Sequence, residues 1–318
     1  MILINKRKIF DPNEHILPNG CKYYAKSPQV VVFDDYIRIY FSSCSLDAKS
    51  KYLSHICYVD MNKDFTEIYR VSDKTIIPLG DLGCFDEHGI FPVNLVRDAG
   101  KILAYTCGWS RRISVSVETA IGLAISYDNG ESFNKVGNGP VMASSLDEPY
   151  LVGDAFVKIM DSKYHMWYMY GTAWKKYDIK DVAERTYKIG YACSVNGIDW
   201  VRRVGAQLIP DRIGEDESQA LPSVIKNGEK YHMFFCYRHS YDFRDNKDRG
   251  YRIGHAWSLD LEKWTRDDNF DFQGSGENEW DSEMQCYPHV FEMDHKYYML
   301  YNGNQFGKYG FGVAELQL

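Results

Sequence analysis

The sequence predicts an all-β fold: a five-bladed β-propeller whose four-stranded antiparallel blades surround a central funnel. Three observations carry that expectation. An apolar, aromatic-rich segment recurs five times along the 318 residues. Each copy has the period-two alternation and most have the polar turn of a hairpin. No stretch shows the extended helical periodicity that would compete with it.

The copies are SPQVVVFDDYIRIYF from Ser27, FPVNLVRDAGKILAY from Phe91, DAFVKIMDSKYHMWY from Asp154, LPSVIKNGEKYHMFF from Leu221 and YPHVFEMDHKYYMLY from Tyr287. They anchor at Pro28, Pro92, Ala155, Pro222 and Pro288, in steps of 64, 63, 67 and 66 residues. Steps this even mark an array of supersecondary units. In each copy a Val- or Ile-bearing strand leads through a turn, such as Asn227-Gly228, into a strand alternating like Tyr164, Met166 and Tyr168. A second hairpin follows in most: IGLAISYDNGESF (121–133), IGYACSVNGIDW (189–200) and IGHAWSLDLEKW (253–264). Two hairpins in roughly 65 residues make one blade with long connections, so 1–318 is expected to be a single domain. The last repeat stops soon after Phe311 to Ala314, one strand short. The opening run ILINKRKIF is expected to supply that outer strand and so cover an open edge.

Composition narrows the function. The aromatic share is 15%, with 25 tyrosines and 7 tryptophans, which suits strands and sugar-stacking surfaces alike. A net charge of −7 argues against nucleic acid or an anionic membrane as partner. Eight cysteines stand without a CxxC pair, and Cys57, Cys107, Cys193 and Cys236 fall inside strand-like runs, so reduced thiols and a cytoplasmic location are expected. No apolar run approaches the roughly 20 residues of a membrane span. The histidines (His88, His165, His232, His239, His255 and His289 among them) lack ligand spacing, so no cofactor or metal is expected beyond an ion on the funnel axis. Neither a phosphate-cradling glycine loop nor a dinucleotide fingerprint is present.

The five hairpins and the S-x-D/N-G-x-x-W turns resemble the five-bladed propeller glycosidases: the arabinanase and xylosidase, invertase and levansucrase, and mannoside phosphorylase groups. The stretches FDEHGIFP, DEPYLVGDAFV, WDSEMQCYP and YNGNQFGKYGFG are similar to glycosidase-like proteins of bacterial surface-polysaccharide loci. The segment Ser126 to Phe133 also matches the sialidase Asp-box in spacing, and is read as a well-formed turn. The resemblance implies a carbohydrate-active enzyme that cleaves or transfers a glycosidic bond, on an oligosaccharide, sugar phosphate or nucleotide sugar. A non-catalytic sugar-binding propeller in polysaccharide biosynthesis is the alternative, and a phosphorylase or sialidase-like hydrolase a further one.

Ligands of such folds bind where the innermost strands begin, so the residues just before each anchor are the candidates. Glu87, Glu217 and Glu283 each lie five residues before a proline, with Gln219 and Gln285 two further on and the acids Asp86, Asp216 and Asp281 beside them. Converging carboxylates suit glycoside cleavage, in which one protonates the leaving oxygen and another activates water or attacks carbon. Asp86, Glu217 and Glu283 are therefore expected to be catalytic. Glu148 and Asp154 are expected to orient or tune them, and Glu87, His88, Trp109, Trp174, Gln219, Arg238, Gln285, Asn302 and Asn304 to bind substrate. The arabinanase resemblance places an Asp base directly before the first proline, where this chain has Ser27. It matches Asp154 to the modulating Asp of the third blade and Glu217 to the fourth-blade Glu only approximately. The departure at Ser27 leaves phosphorolysis or transfer open beside hydrolysis. The charged stretch from Asp242 to Arg252 is expected to be a solvated loop.

Overall fold

The computed structural model describes residues 1–177, 180–205 and 207–318, and of 180 and 181 the backbone alone. Among the described residues twenty strands form five four-stranded antiparallel units. The first holds β2 (Tyr23–Val32), β3 (Ile37–Leu46), β4 (Tyr52–Met61) and β5 (Ile68–Val71). The second holds β6 (Gly89–Asp98), β7 (Lys101–Arg111), β8 (Val117–Ser126) and β9 (Asn134–Lys135). A single parallel bridge, Ser54 to Gly89, links these two. The third holds β10 (Val152–Met160), β11 (Lys163–Tyr177), β12 (Lys180–Ser194) and β13 (Val201–Arg202). The fourth holds β14 (Glu217–Asn227), β15 (Lys230–His239), β16 (Arg252–Ser258) and β17 (Thr265–Arg266). The fifth joins β18 (Cys286–Met293), β19 (Lys296–Asn302) and β20 (Phe311–Gln317) to β1 (Ile2–Phe10), so the opening residues do provide its outer strand.

The apolar faces explain why the units stack. One cluster fills the space between each unit and the next: Tyr40 and Ile56 with Ile90 and Ala104, then Tyr105 and Ile121 with Val152 and Met166. Trp167 and Ile189 meet Met233 and Phe235, and Phe234 and Ile253 meet Met299 and Tyr301. Phe291 and Leu300 of the fifth unit pack with Ile39 and Cys57 of the first. The first strands touch in the same order, β2 on β6, β6 on β10, β10 on β14, β14 on β18, and β18 on β2.

Turn chemistry locks neighbours together. In the segment Ser126 to Phe133 the Ser126 and Asp128 side chains collect the backbone N–H groups of Gly130 and Ser132, and the Gly130 carbonyl accepts from the Tyr40 hydroxyl at 3.2 Å. Ser194 and Asn196 build the same turn one unit on, where Tyr105 donates to the Gly197 carbonyl at 2.9 Å. Tyr105 is buried, so Tyr105→Phe strands that carbonyl and is expected to cost about 1–2 kcal/mol, read as a lower urea midpoint.

The anchors have a physical reason. Every first strand carries a register shift at its anchor: between Lys26 and Gln29, Ile90 and Val93, Gly153 and Phe156, Ala220 and Ser223, and Cys286 and His289. The residues stepped out of the ladder need no partner N–H, so proline fits there. The residue before the anchor takes a left-handed φ at Ser27, Asp154, Leu221 and Tyr287, between 49° and 60°, and the Phe91–Pro92 peptide is cis. Bulges re-aim side chains, and these five are repeated at one level of the stack.

Candidate functional site

At that level lies a cavity of about 460 Å³. Phe91, Asp154, Leu221 and Tyr287, four of the five residues preceding an anchor, line it, as does Lys26 beside the fifth. The third strands add Tyr52 and Ser54 from the start of β4, Val117 and Thr119 from the start of β8, and Arg185 and Tyr187 from the first half of β12. The ends of the second strands add Trp109 and Arg238, and the loop after β15 adds Phe243, Arg244 and Tyr251. That loop is not simply solvated, because Phe243 and Tyr251 are buried and the Arg238 guanidinium lies 3.5 Å from the Phe243 ring centre.

Among the described residues Asp154 is the one carboxylate lining the cavity. Burial raises its pKa to about 7, against the opposing pull of Arg185 and of the hydrogen bond with Cys107. The Cys107 thiol and the Tyr251 and Tyr287 hydroxyls are themselves pushed well up by burial, so they are neutral at ordinary pH. The site thus offers a carboxyl that holds or releases a proton near neutrality, aromatic walls and several cations. No cluster of three His, Cys, Asp or Glu side chains is arranged for a metal among the described residues.

Of the residues expected from sequence, Trp109, Asp154 and Arg238 line this cavity. Asp86, Glu217 and Glu283 do not, and neither does Glu148. Asp86 is buried against Lys135 of β9 at 2.5 Å. Glu148 receives Arg202 of β13 at 2.7 Å and the Tyr168 hydroxyl at 2.7 Å. Glu217 receives Arg266 of β17 at 2.6 Å, the Arg212 and Ile213 backbone N–H groups at 2.7 and 3.0 Å, and Gln219 at 2.9 Å. The pattern is one device used three times: a buried acid ahead of the first strand, or at its first residue, clamps the cation on the unit's outermost strand. Asp281 in the fifth unit accepts from Ser275 and Tyr301 instead. The clamp acids lie six, seven and five residues before their anchors and hold outer strands, while Glu87 and Glu283, which share the spacing of Glu217, take no part in a clamp.

The remaining expected binders are also held away from the cavity. Glu283 is exposed, and its backbone N–H is taken by Asn304 at 2.8 Å. Asn302 joins chain ends, accepting from the Ser27 N–H and donating to the Ala25 and Gly310 carbonyls, each at 2.7 Å. Gln285 caps the Asp281 carbonyl. Glu87 pairs with His88, whose ring stacks on Trp109 at 5.9 Å. Trp174 packs against the apolar cluster at the axis and carries Arg185 at 5.7 Å. Sequence reasoning missed Lys26, Arg185, Tyr187 and Tyr251. The residues one or two before each anchor, rather than five ahead, were the signal for Lys26; Arg185 and Tyr187 on β12 and Tyr251 in the loop after β15 have no counterpart in the anchor alignment. Asp86→Asn is expected to leave the half-buried Lys135 without its counter-charge and to lower the thermal midpoint, with no ligand needed to see it.

This frame of antiparallel four-stranded units is similar in fold to solved all-β glycoside hydrolases. It superposes on a glycoside hydrolase with a TM-score of 0.72 at 15% identity, covering 95% of this chain and 90% of the other. A thermostable family-43 glycoside hydrolase gives 0.65 at 13% identity, with 95% and 93% covered. The β-1,2-mannobiose phosphorylase of Listeria innocua, solved with β-1,2-mannobiose, gives 0.67 at 12%, with 99% and 97% covered. At such identities the likeness is one of fold. No family model matches the chain. Over 287 residues, 89% of each sequence, it is 30% identical to an uncharacterized protein of Mycobacterium tuberculosis (strain CDC 1551 / Oshkosh), and equally to one of strain ATCC 25618 / H37Rv. The chain belongs to the family of these proteins.

Proposed function

We propose that the chain is a carbohydrate-active enzyme: one domain, 1–318, closed as a five-bladed propeller, which cleaves or transfers a glycosidic bond in the cavity around Asp154. The ring of five inter-unit cores and the cyclic order of first strands support the closure. The observation that carries the function is Asp154, a carboxyl poised near pH 7 in an aromatic-walled cavity. A proton donor to a departing sugar oxygen needs that poise. The glycoside hydrolase and mannobiose phosphorylase neighbours favour a sugar as ligand. A hydrolase of the two-carboxylate kind would need a second acid facing the first. Asp154 has none on the cavity wall among the described residues, which favours transfer or phosphorolysis, where the acceptor brings its own nucleophile. Asp86 and Glu217 we assign to the frame. Eight cysteines without a disulfide among them fit a reducing, cytoplasmic setting.

The test is turnover of glycosides, with water, phosphate or a second sugar as acceptor, by wild type and Asp154→Asn. The variant is expected to lose at least about a hundredfold in kcat while still binding ligand. Unchanged turnover would sink the assignment. The lone cavity carboxylate also favours a second reading, a binding propeller without chemistry. In that case no acceptor supports turnover and Asp154→Asn alters affinity alone.

A further inference from the structure

We propose that the ligand of this cavity bears a phosphoryl group, held by Arg238 with Arg185 and Lys26. The inference rests on the carbohydrate reading for the rest of the ligand, and on the charges of the wall for this part of it.

Arg238 is 1% exposed. Its Nε and Nη2 donate to the Tyr187 hydroxyl at 3.1 and 2.8 Å, and its Nη1 to the His239 carbonyl at 2.8 Å. The Phe243, Tyr187 and Tyr251 rings surround the guanidinium. Every one of these partners is neutral, and no carboxylate pairs with Arg238 among the described residues. Elsewhere in the fold the buried Arg38 is matched with Asp60 and Glu131, and the partly buried Arg202 and Arg266 with Glu148 and Glu217. A buried charge without a counter-charge is costly, and an arriving anion relieves the cost.

Two further cations of the same wall, both half-buried, also lack an acid partner among the described residues. Arg185 donates to the Ser116 hydroxyl at 3.2 Å and forms no ion pair with an acid there, and Lys26 sits over the Phe91 ring at 4.4 Å with none either. Arg244 is the exception on the wall, paired with Glu184 at 2.7 Å. Against these stands Asp154, which burial holds largely protonated below pH 7. A strongly basic pocket inside a chain of net charge −7 is a local arrangement, not a reflection of composition.

Proton directions extend the argument. The Tyr187 oxygen accepts twice from Arg238, so its own proton goes to Tyr251, with which it is hydrogen-bonded. The Tyr251 proton then has no acceptor among the described residues and is free to reach a ligand oxygen. Three unpaired cations and one spare hydroxyl match a phosphoryl dianion better than a single carboxylate charge.

The experiment measures binding by calorimetry and thermal shift at constant ionic strength. The probes are inorganic phosphate, hexose 1- and 6-phosphates, free hexoses and hexuronic acids, tested on wild type, Arg238→Met and Arg185→Gln. Phosphate and sugar phosphates are expected to stabilise the wild type, and each variant to weaken them at least about tenfold. Arg238→Met is expected to fold with a ligand-free midpoint no lower than wild type, because it removes an unmatched charge. If it does not fold, Arg185→Gln carries the same test. Tighter binding of a sugar phosphate than of its two halves places the phosphoryl on the sugar. Separate, mutually favourable binding of phosphate and hexose makes phosphate a second ligand of the same pocket. Binding of neutral hexoses alone, unaffected by the arginine variants, overturns the phosphoryl inference and leaves the carbohydrate reading standing. A phosphate response without any response to sugars, free or phosphorylated, overturns the carbohydrate reading instead. Silence across all probes overturns both.

Discussion

Glu217→Gln is expected to destabilise the fold by about 3–5 kcal/mol whether or not a ligand is present. The Glu217 side chain is 0% exposed and the Arg266 side chain 5%, so neither charge has water to fall back on. The carboxylate also satisfies two backbone N–H groups of the loop ahead of β14, at Arg212 and Ile213. The amide keeps the shape but removes the counter-charge, and its NH2 end cannot accept where the second oxygen did. Arg266→Met is expected to do comparable harm from the other side. The double variant Glu217→Leu/Arg266→Met should cost clearly less than the two single changes together, because it removes both charges at once. Urea unfolding of the four proteins reads the cycle directly. A Glu217→Gln protein with the wild-type midpoint and no activity would instead return this carboxylate to the chemistry.

That clamp shows where the sequence was legible. The five repeats at near-equal steps, the hairpin turns and the contribution of the opening strand were all visible, because each rests on local chemistry. Proline fits a bulge, Ser-x-Asp/Asn collects turn N–H groups, and alternating residues face one core. The sequence aligned Glu87, Glu217 and Glu283 and set Asp86 beside them, yet spacing says nothing about the direction in which the side chains of Asp86 and Glu217 point. Their cations, Lys135 and Arg266, lie 49 residues downstream on two-residue strands. No local pattern joins partners so far apart. Asp154 was legible by resemblance, and the bulge that turns it inward is also the reason it stands beside an anchor. Arg185 was hidden for another reason: it lies in the first half of β12, opposite Trp174 in the register, where the sequence offers only a charged stretch.

The stability of the wild type relative to Asp154→Asn is expected to fall as pH rises through the range between the ordinary carboxyl value of 3.8 and about 7. The sign follows from proton counts. In that range the unfolded chain has released the Asp154 proton and the folded chain has kept it, so folding takes up a proton and weakens as protons become scarce. Above pH 7 both states are ionised and the difference levels off, at about 4 kcal/mol at most for a rise of about three units. The amide of the variant has nothing to titrate, so that protein should overtake the wild type progressively and hold a constant lead in alkali. Paired urea titrations on either side of the window measure it. A flat difference would mean that Asp154 is ionised throughout, matched by Arg185, and then it has no proton to give a leaving oxygen at neutral pH. A bound phosphoryl group should sharpen the contrast. Its negative charge occupies the cations that now draw Asp154 toward ionisation, and so the proton is held to a higher pH just when substrate is in place.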